Sequence, residues 1–247
     1  MNPFGITFKN EMIRMIHRRK LLTGILVAAI IPILIVLAKV LALGWDIPLI
    51  YREDLFRMAL SLFTPMILPL FSIVLVADAF TDEHSKGSLK TSLLLPDSRT
   101  GHFMAKIISS VTGASAMLFA LWFSSLVFGL ILPSRGGWIL SLGMGLLQCL
   151  ASLLPIIVVL GFSSLASQTI KSGSGMILSL IGLTLVMRLL PLWLGDLSRI
   201  LPTTWLGFGA NIGYLPLASL LYALTGMLLW TVFTGGLALL RFESKMI

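Results

Sequence analysis

The residues of this chain that could do chemistry are few, and they form no recognised catalytic arrangement. Glu83, His84 and His102 could in principle meet around a metal ion, but their spacing matches no established zinc pattern. Ser163 and Ser164 follow a glycine without completing the G-x-S-x-G turn of a serine hydrolase. We therefore expect solvated loop residues, no metal site, and a chain that is not an enzyme.

Nucleotide chemistry is also missing from the sequence. The segment IKSGSGM (170–176) is rich in glycine, but its lysine precedes the glycines, and no GxxxxGK[ST] P-loop occurs. We expect this chain to hold no cofactor of its own. If ATP drives its function, a separate subunit must supply the nucleotide site.

The elements that position these residues belong to a membrane protein. Hydrophobic residues make up 57% of the 247 residues, charged residues only 11%, and the mean hydropathy is +1.01. Soluble domains carry about 25% charged residues. The net charge of +8 could suggest a nucleic acid, but Lys and Arg gather in the cytoplasmic loops of membrane proteins, so we expect no nucleic-acid partner.

Six apolar runs are long enough to cross a bilayer as helices of about 20 residues. No run alternates with period two, so a β-barrel is not expected. The sequence predicts an all-α membrane protein, with an amphipathic interfacial helix over 1–20 and a six-span domain over 21–247. The predicted spans are 21–43, 56–78, 104–132, 138–163, 174–194 and 216–240.

The distribution of cations predicts the orientation. An even number of spans puts both termini on one side, and 12 of the 18 Lys and Arg residues fall on that side. The positive-inside rule then predicts cytoplasmic termini. The first 20 residues place an apolar stripe on one helical face, which could lie in the lipid interface, pack on protein, or serve only as a basic anchor. The stripe consists of Phe4, Phe8, Met12, Met15 and Ile16.

Two features inside the spans are candidates for a path or a gate. Pro65 and Pro69 in the second span remove backbone donors and predict a kink, which could move or be a static bend. Arg188 in the fifth span is a functional candidate because charges within spans are rare. It could pair with an acidic residue of the external side, namely Asp46, Glu53, Asp54 or Asp196.

The most polar segment lies between the second and third predicted spans. Pro96 interrupts it, and Asp97 or Ser98 can cap the helix that continues into the third span. Leu89 and Leu93 are four residues apart and share a helical face. This face could dock into a groove of a partner protein or lie on the membrane surface.

The same segment resembles the signature loop of ABC-2 type transporter permeases. In that family an acidic residue precedes a Gly-Thr/Ser-Leu step, a leucine-rich turn, a Pro-x-Ser-Arg sequence and a lysine at the start of the third span. Asp97 stands where a small apolar residue is more usual. The matching residues are Glu83, Gly87, Ser88, Leu89, the run Leu93 to Pro96, Ser98, Arg99 and Lys106.

The resemblance implies that segment 80–103 is a coupling loop resting in a cleft of an ABC ATPase. Two permease chains, identical or sister, and two ATPases carrying ATP and Mg²⁺ would form the transporter in a bacterial cytoplasmic membrane. Leu89 and Leu93 would be the docking contacts, and segment 163–175 a second, smaller contact. The residues implied for coupling are Glu83, Gly87, Leu89, Leu93, Pro96 and Arg99.

The substrate class is inferred from the size of the chain, the residue types of its spans and the family resemblance. Within the family, the chain resembles the small stand-alone permeases of bacitracin and lantibiotic immunity. Apolar spans with scattered Ser, Thr and Met suit a hydrophobic or amphipathic substrate, so we expect export of an antimicrobial peptide or similar drug, and thereby antibiotic resistance. A lipid or lipid-linked polymer is the alternative cargo. An ATP-independent carrier or scaffold subunit is the alternative of another class.

Overall fold

A computed structural model describes residues 3–17, 19–43, 50–86, 98–170 and 172–244. The side chains of residues 3, 42, 43, 81–86, 138, 196 and 197 are outside this description. The regular elements of the described residues are all helical. They are α1 (Pro3–His17), α2 (Arg19–Leu43), α3 (Arg52–Leu62), a π-helical turn (Phe63–Ile67), α4 (Leu68–Lys86), α5 (Arg99–Gly129), α6 (Trp138–Ser167), α7 (Gly173–Leu189), α8 (Pro191–Leu194), two 3-10 turns (Gly195–Ile200 and Pro202–Gly207), α9 (Phe208–Asn211) and α10 (Leu217–Ser244).

Six helical stretches are long and apolar enough to cross a membrane, which confirms the all-α, six-span architecture. Each exceeds the length of about 20 residues that the hydrocarbon core requires. The third span begins at Arg99 because the side chain of Ser98 accepts a hydrogen bond from the Gly101 amide and caps the helix there. The spans are Arg19–Leu41, Arg52–Phe80, Arg99–Gly129, Ile139–Ser167, Gly173–Leu194 and Leu217–Ser244.

The ends of the spans define two faces of the molecule. The terminal face carries α1, the start of α2 and the end of α4, where Lys20 Nζ lies 2.7 Å from Asp78 Oδ1. The opposite face carries the start of α3 and the end of α5. There the Arg52 side chain donates to the carbonyl oxygens of Gly129 and Leu130, at 3.1 and 3.3 Å. These bonds satisfy acceptors that a helix end leaves free.

The second span changes its helical pitch at the predicted kink. Pro65 lies in the π-helical turn between α3 and α4. In the wider turn the Leu68 amide donates to Phe63 O, five residues back. Pro65, inside this turn, has no amide hydrogen to donate. The Thr64 hydroxyl donates to Leu60 O at 2.8 Å. The sequence predicted a kink from Pro65 and Pro69; the structure has a π-helical turn at Pro65, and Pro69 lies within α4.

Close approach between helices depends on small residues. α5 packs against α1, α2, α4 and α6. A Cβ on Gly113 of α5 would lie 2.9 Å from Leu75 Cδ1 and 3.0 Å from Met15 Sδ. Glycine at this position lets three elements meet on one turn of α5, as small residues do at helix contacts in membranes. The fully buried Met117 and Leu121 continue this contact along the helix.

The chain between the fifth and sixth spans folds back onto the opposite face. α8, the two 3-10 turns and α9 form this return segment, residues 191–211. The Trp230 indole donates to Ile200 O at 3.1 Å, and the Gln148 amide donates to Ala210 O at 3.4 Å. A Cβ on Gly209 would lie 2.7 Å from Gln148 O, so α9 sits directly on the backbone of α6.

Candidate functional site

The candidate site consists of the two helices that flank the predicted coupling loop. α4 leads into that loop and α5 leads out of it. Gly87, Leu89, Leu93 and Pro96 lie outside the described residues. Glu83 lies within α4, but its side chain is also outside the description. The described site therefore shows how the helices on either side of segment 87–97 contact their neighbours, and the coupling role of that segment stays a prediction.

The start of α5 is fixed to the terminal end of the last span. The Arg99 Nη1 group donates to Glu243 O at 3.4 Å, where the last carbonyls of α10 lack helical partners. The resemblance implied that Arg99 fixes the coupling loop, and this contact joins the loop's exit to α10.

Three phenylalanines join the same elements in the core beneath. The ring centroids of Phe80 and Phe103 are 5.6 Å apart, and those of Phe103 and Phe242 are also 5.6 Å apart. Phe80 and Phe242 meet edge to face at 6.2 Å. Such pairs add about 0.5–1.5 kcal/mol each beyond their burial. The end of α4, the start of α5 and the end of α10 thus pack as one unit.

Lys106 is the most deeply buried cation of this region. Its side chain is 4% exposed, and its Nζ donates to Ala79 O at 2.6 Å and lies 3.4 Å from Glu11 Oε1. The ammonium also lies 5.5 Å from the ring centroid of Phe80, within range of a cation–π contact. One side chain of α5 therefore binds both α4 and α1. The sequence pattern had marked Lys106 only as the final residue of the family motif.

Four further charged residues surround Lys106 and complete an ionic cluster. Arg14 Nη1 lies 3.5 Å from Glu11 Oε1, and Lys20 Nζ lies 2.7 Å from Asp78 Oδ1. Glu11, Arg14 and Asp78 line one small cavity of about 20 Å³ with Ser109 and Ser110 of α5. A cavity of this size has room for a single water. The ionic cluster, defined as Glu11, Arg14, Lys20, Asp78 and Lys106, joins α1, α2, α4 and α5.

Helix α1 packs on protein along a stripe that differs from the predicted one. Thr7 and Met15 are buried, and the side chain of Glu11 between them is only 12% exposed. Ile16 is 51% exposed, although the sequence placed it on the apolar stripe. Glu11 lies one turn after Thr7 and one turn before Met15, so it falls on the buried face. An acidic residue on an otherwise apolar stripe was the signal for a buried cationic partner.

The candidate gating residues lie apart from the ionic cluster. Pro65 and the buried Pro69 are in the second span, well away from its terminal end. Arg188 is half-buried near the opposite end of α7, and its Nη2 has no hydrogen-bond partner among the described residues. Its proposed partners Glu53 and Asp54 instead contact the Ser134–Arg135 loop, and the side chain of Asp196 and the whole of Asp46 lie outside the description.

The contacts of the described site residues are hydrogen bonds, ion pairs and ring contacts that join one helix to another. Within them, no three His, Cys, Asp or Glu side chains come together as metal ligands. His102 is buried beside the phenylalanines, and its Nε2 has no hydrogen-bond partner among the described residues. Within the ionic cluster the side chains of Glu11, Asp78 and Lys106 are shielded from solvent, whereas that of Lys20 is 54% exposed.

Comparison with known protein families identifies a match. The family model described as "ABC-2 family transporter protein" matches residues 7–190, which include most of α1, the first four spans and most of the fifth. A search of curated proteins finds none that matches this chain.

Proposed function

The chain belongs to the ABC-2 family of transporter proteins, and on that premise we propose that it is the transmembrane subunit of an exporter driven by a separate ATPase. Membership of the family supports a multi-pass membrane subunit of an ABC transporter and a partnership with an ABC ATPase. The cargo, the direction of transport and the composition of the complex are our proposals.

The contacts between the helices on either side of segment 87–97 are the observation that supports the mechanism. Both ends of segment 87–97 lead into helices that are cross-linked at the terminal face by Lys106, Arg99 and the three phenylalanines. A force applied to the loop would therefore move α1, α4, α5 and the end of α10 together. In our proposal, closure of an ATPase dimer supplies this force through Leu89 and Leu93.

Movement of α4 would reach the second span's π-helical turn at Pro65. A π turn within an α-helix is an irregularity that recurs at functional sites. We propose that the segment from Pro65 to Pro69 bends as the ATPases close, and that access alternates between the two faces. Arg188 would line or gate the path near the opposite face.

A second permease chain would complete the path. The fifth span is the most exposed of the six, with only 6% of its most apolar stretch buried within the chain. Leu178, Leu185 and Val186 on it are all more than half exposed. Lipid alone could cover this surface, but in our proposal one six-span chain forms only half of the transport path and needs a second chain to complete it. We propose a second copy or a sister chain.

The cargo that we propose is a hydrophobic or amphipathic molecule, such as an antimicrobial peptide or similar drug. Most buried hydroxyls of the described spans donate to their own helices, for example Ser72 to Leu68 O and Ser125 to Leu121 O, at 2.8 Å each. Ser124 donates instead to Ala29 O of α2, at 2.6 Å. The spans therefore offer few free polar groups to a sugar or an ion. A lipid or lipid-linked polymer is the second candidate.

Co-purification from the native host tests the proposal. The tagged chain should retain an ATPase that carries a Walker A motif, at one copy per permease. Leu89→Asp and Leu93→Asp should abolish this association and transport. Thr91→Asp is the matched control, because residue 91 faces away from both leucines on a helix and receives the same charge.

The alternative class predicts a different outcome. If no ATPase co-purifies in mild detergent, or if Leu89→Asp and Leu93→Asp both transport as well as wild type, the coupling assignment is wrong. The chain would then be an ATP-independent carrier or scaffold, with the leucines in lipid.

A further inference from the structure

An open cleft of about 760 Å³ lies between the return segment and the last span on the opposite face. Trp205, Phe208 and Asn211 line one side of it, and Ser219 and Tyr222 of α10 line the other. Arg199 lines it as well, and it is exposed. Ligand pockets typically measure about 300–1,000 Å³. The cleft is therefore large enough for a headgroup and part of a chain.

The cleft lies at the level of a lipid headgroup. Trp and Tyr concentrate where the hydrocarbon core meets water. Tyr222 is 49% exposed, Trp193 within the return segment is 86% exposed, and Tyr214, which follows that segment, is 66% exposed. Leu221 and Leu228 on α10 are also more than half exposed, which marks this side of α10 as facing lipid. The cleft thus opens where the spans leave the hydrocarbon core.

The polar lining of the cleft favours an anion. Arg199 is its one charged residue among the described lining side chains. Arg199 also interacts within the chain, but a guanidinium carries five N–H donors, so it can serve more than one acceptor. The hydroxyls of Thr204, Ser219 and Tyr222 and the amide of Asn211 add neutral donors around it. A phosphate matches this set, since arginine binds it through two parallel hydrogen bonds.

The apolar lining of the cleft is held rigidly. Trp205 is 7% exposed and packs against Gly226, where a Cβ would lie 2.5 Å from the indole ring. The Trp230 indole fixes the return segment through Ile200 O. Leu215 and Ala223 add apolar surface to the same lining. A preformed wall of this kind reduces the entropy lost when a chain binds.

We propose that this cleft binds one anionic phospholipid from the leaflet on the opposite face, with its phosphate at Arg199 and part of one acyl chain along Trp205 and Leu215. The proposal goes beyond the transport function and does not depend on it, because it concerns the chain alone. It also distinguishes this site from one for a cationic peptide, which Arg199 would repel.

Native mass spectrometry of the purified full-length chain tests the proposal. The protein is equilibrated with an equimolar mixture of phosphatidylglycerol and phosphatidylcholine, and the lipid adducts are counted. Wild type should retain phosphatidylglycerol about fivefold over phosphatidylcholine, the preference expected for one cation at an anionic headgroup. Arg199→Gln should bring the ratio close to one.

Two further variants separate the cleft from general lipid binding. Ser219→Phe fills the cleft without changing charge, and it should reduce both adducts. Arg135→Gln removes a cation of the same face that does not line the cleft, so it should behave as wild type. The proposal is overturned by any of three results: no preference in wild type, an unchanged ratio in Arg199→Gln, or full lipid retention in Ser219→Phe.

Discussion

Replacing Lys106 by methionine should lower the free energy of unfolding by about 3 kcal/mol, the lower end of the cost of breaking a buried ion pair. The substitution removes the 2.6 Å hydrogen bond to Ala79 O and leaves Glu11 without its 3.4 Å partner. A hydrogen bond to a charged group contributes about 1.5–3 kcal/mol. Glu11 keeps Arg14 at 3.5 Å, which holds the estimate at the lower end.

The exposed member of the ionic cluster is the matched control. Lys20 makes a shorter contact, 2.7 Å to Asp78, but its side chain is 54% exposed. Solvent reaches the Lys20 ammonium, and Asp78, whose side chain is 10% exposed, has a further interaction within the chain, so Lys20→Met should cost less than Lys106→Met, about 1 kcal/mol. Distance alone would predict the reverse order, so the comparison tests whether burial decides the effect.

A double-mutant cycle isolates the contact between α1 and α5. Glu11→Gln alone, Lys106→Met alone and both together should give an interaction energy of about 1–2 kcal/mol. The measurement is unfolding in mixed detergent micelles with increasing SDS, followed by tryptophan fluorescence. An interaction energy near zero, or an equal loss of unfolding free energy in Lys106→Met and Lys20→Met, would refute the interpretation that Lys106 links α5 to α1 through a buried ion pair.

Other outcomes can be checked in the same preparation or in cells. Gly209→Ala should destabilise the protein by about 1–3 kcal/mol in the SDS titration, because the new Cβ overpacks against Gln148 O. Gly143→Ala is the control: nothing lies within 4 Å of its new Cβ, so it should be neutral or stabilising by about 0.5–1 kcal/mol. Ser98→Ala should cost about 1 kcal/mol through loss of the cap on α5, and hydrogen exchange at the Gly101 amide should rise. Ser134→Cys should react with an impermeant maleimide from outside intact cells if the termini are cytoplasmic. If Ser134→Cys is labelled only after lysis, the predicted orientation is wrong and the termini lie outside.

The length and apolar composition of the six runs were enough to predict the six spans from sequence alone. A helix that crosses hydrocarbon must satisfy its backbone internally and carry about 20 apolar residues, so its presence is a local property. The interruption of the α-helix at Pro65 has an equally local cause, because the missing amide belongs to one residue. The cap at Ser98 followed from the same kind of local chemistry.

The candidate site depended on contacts that sequence spacing does not encode. Lys106 is 95 residues from Glu11, and Arg99 is 144 residues from Glu243, so only the packing of the helices brings them together. The amphipathic pattern of α1 left three alternatives open: the lipid interface, packing on protein, and a basic anchor with no further role. Lipid and protein both present an apolar surface to the stripe, so the pattern does not separate them.

Tertiary structure decided which face of α1 is buried, and it placed Glu11, the acidic residue of that face, against Lys106, about two turns into α5. The physical reason is that burying a charge is costly unless it is paired. The sequence of each helix shows that a charge is present, and only the neighbouring helix shows whether it has a partner.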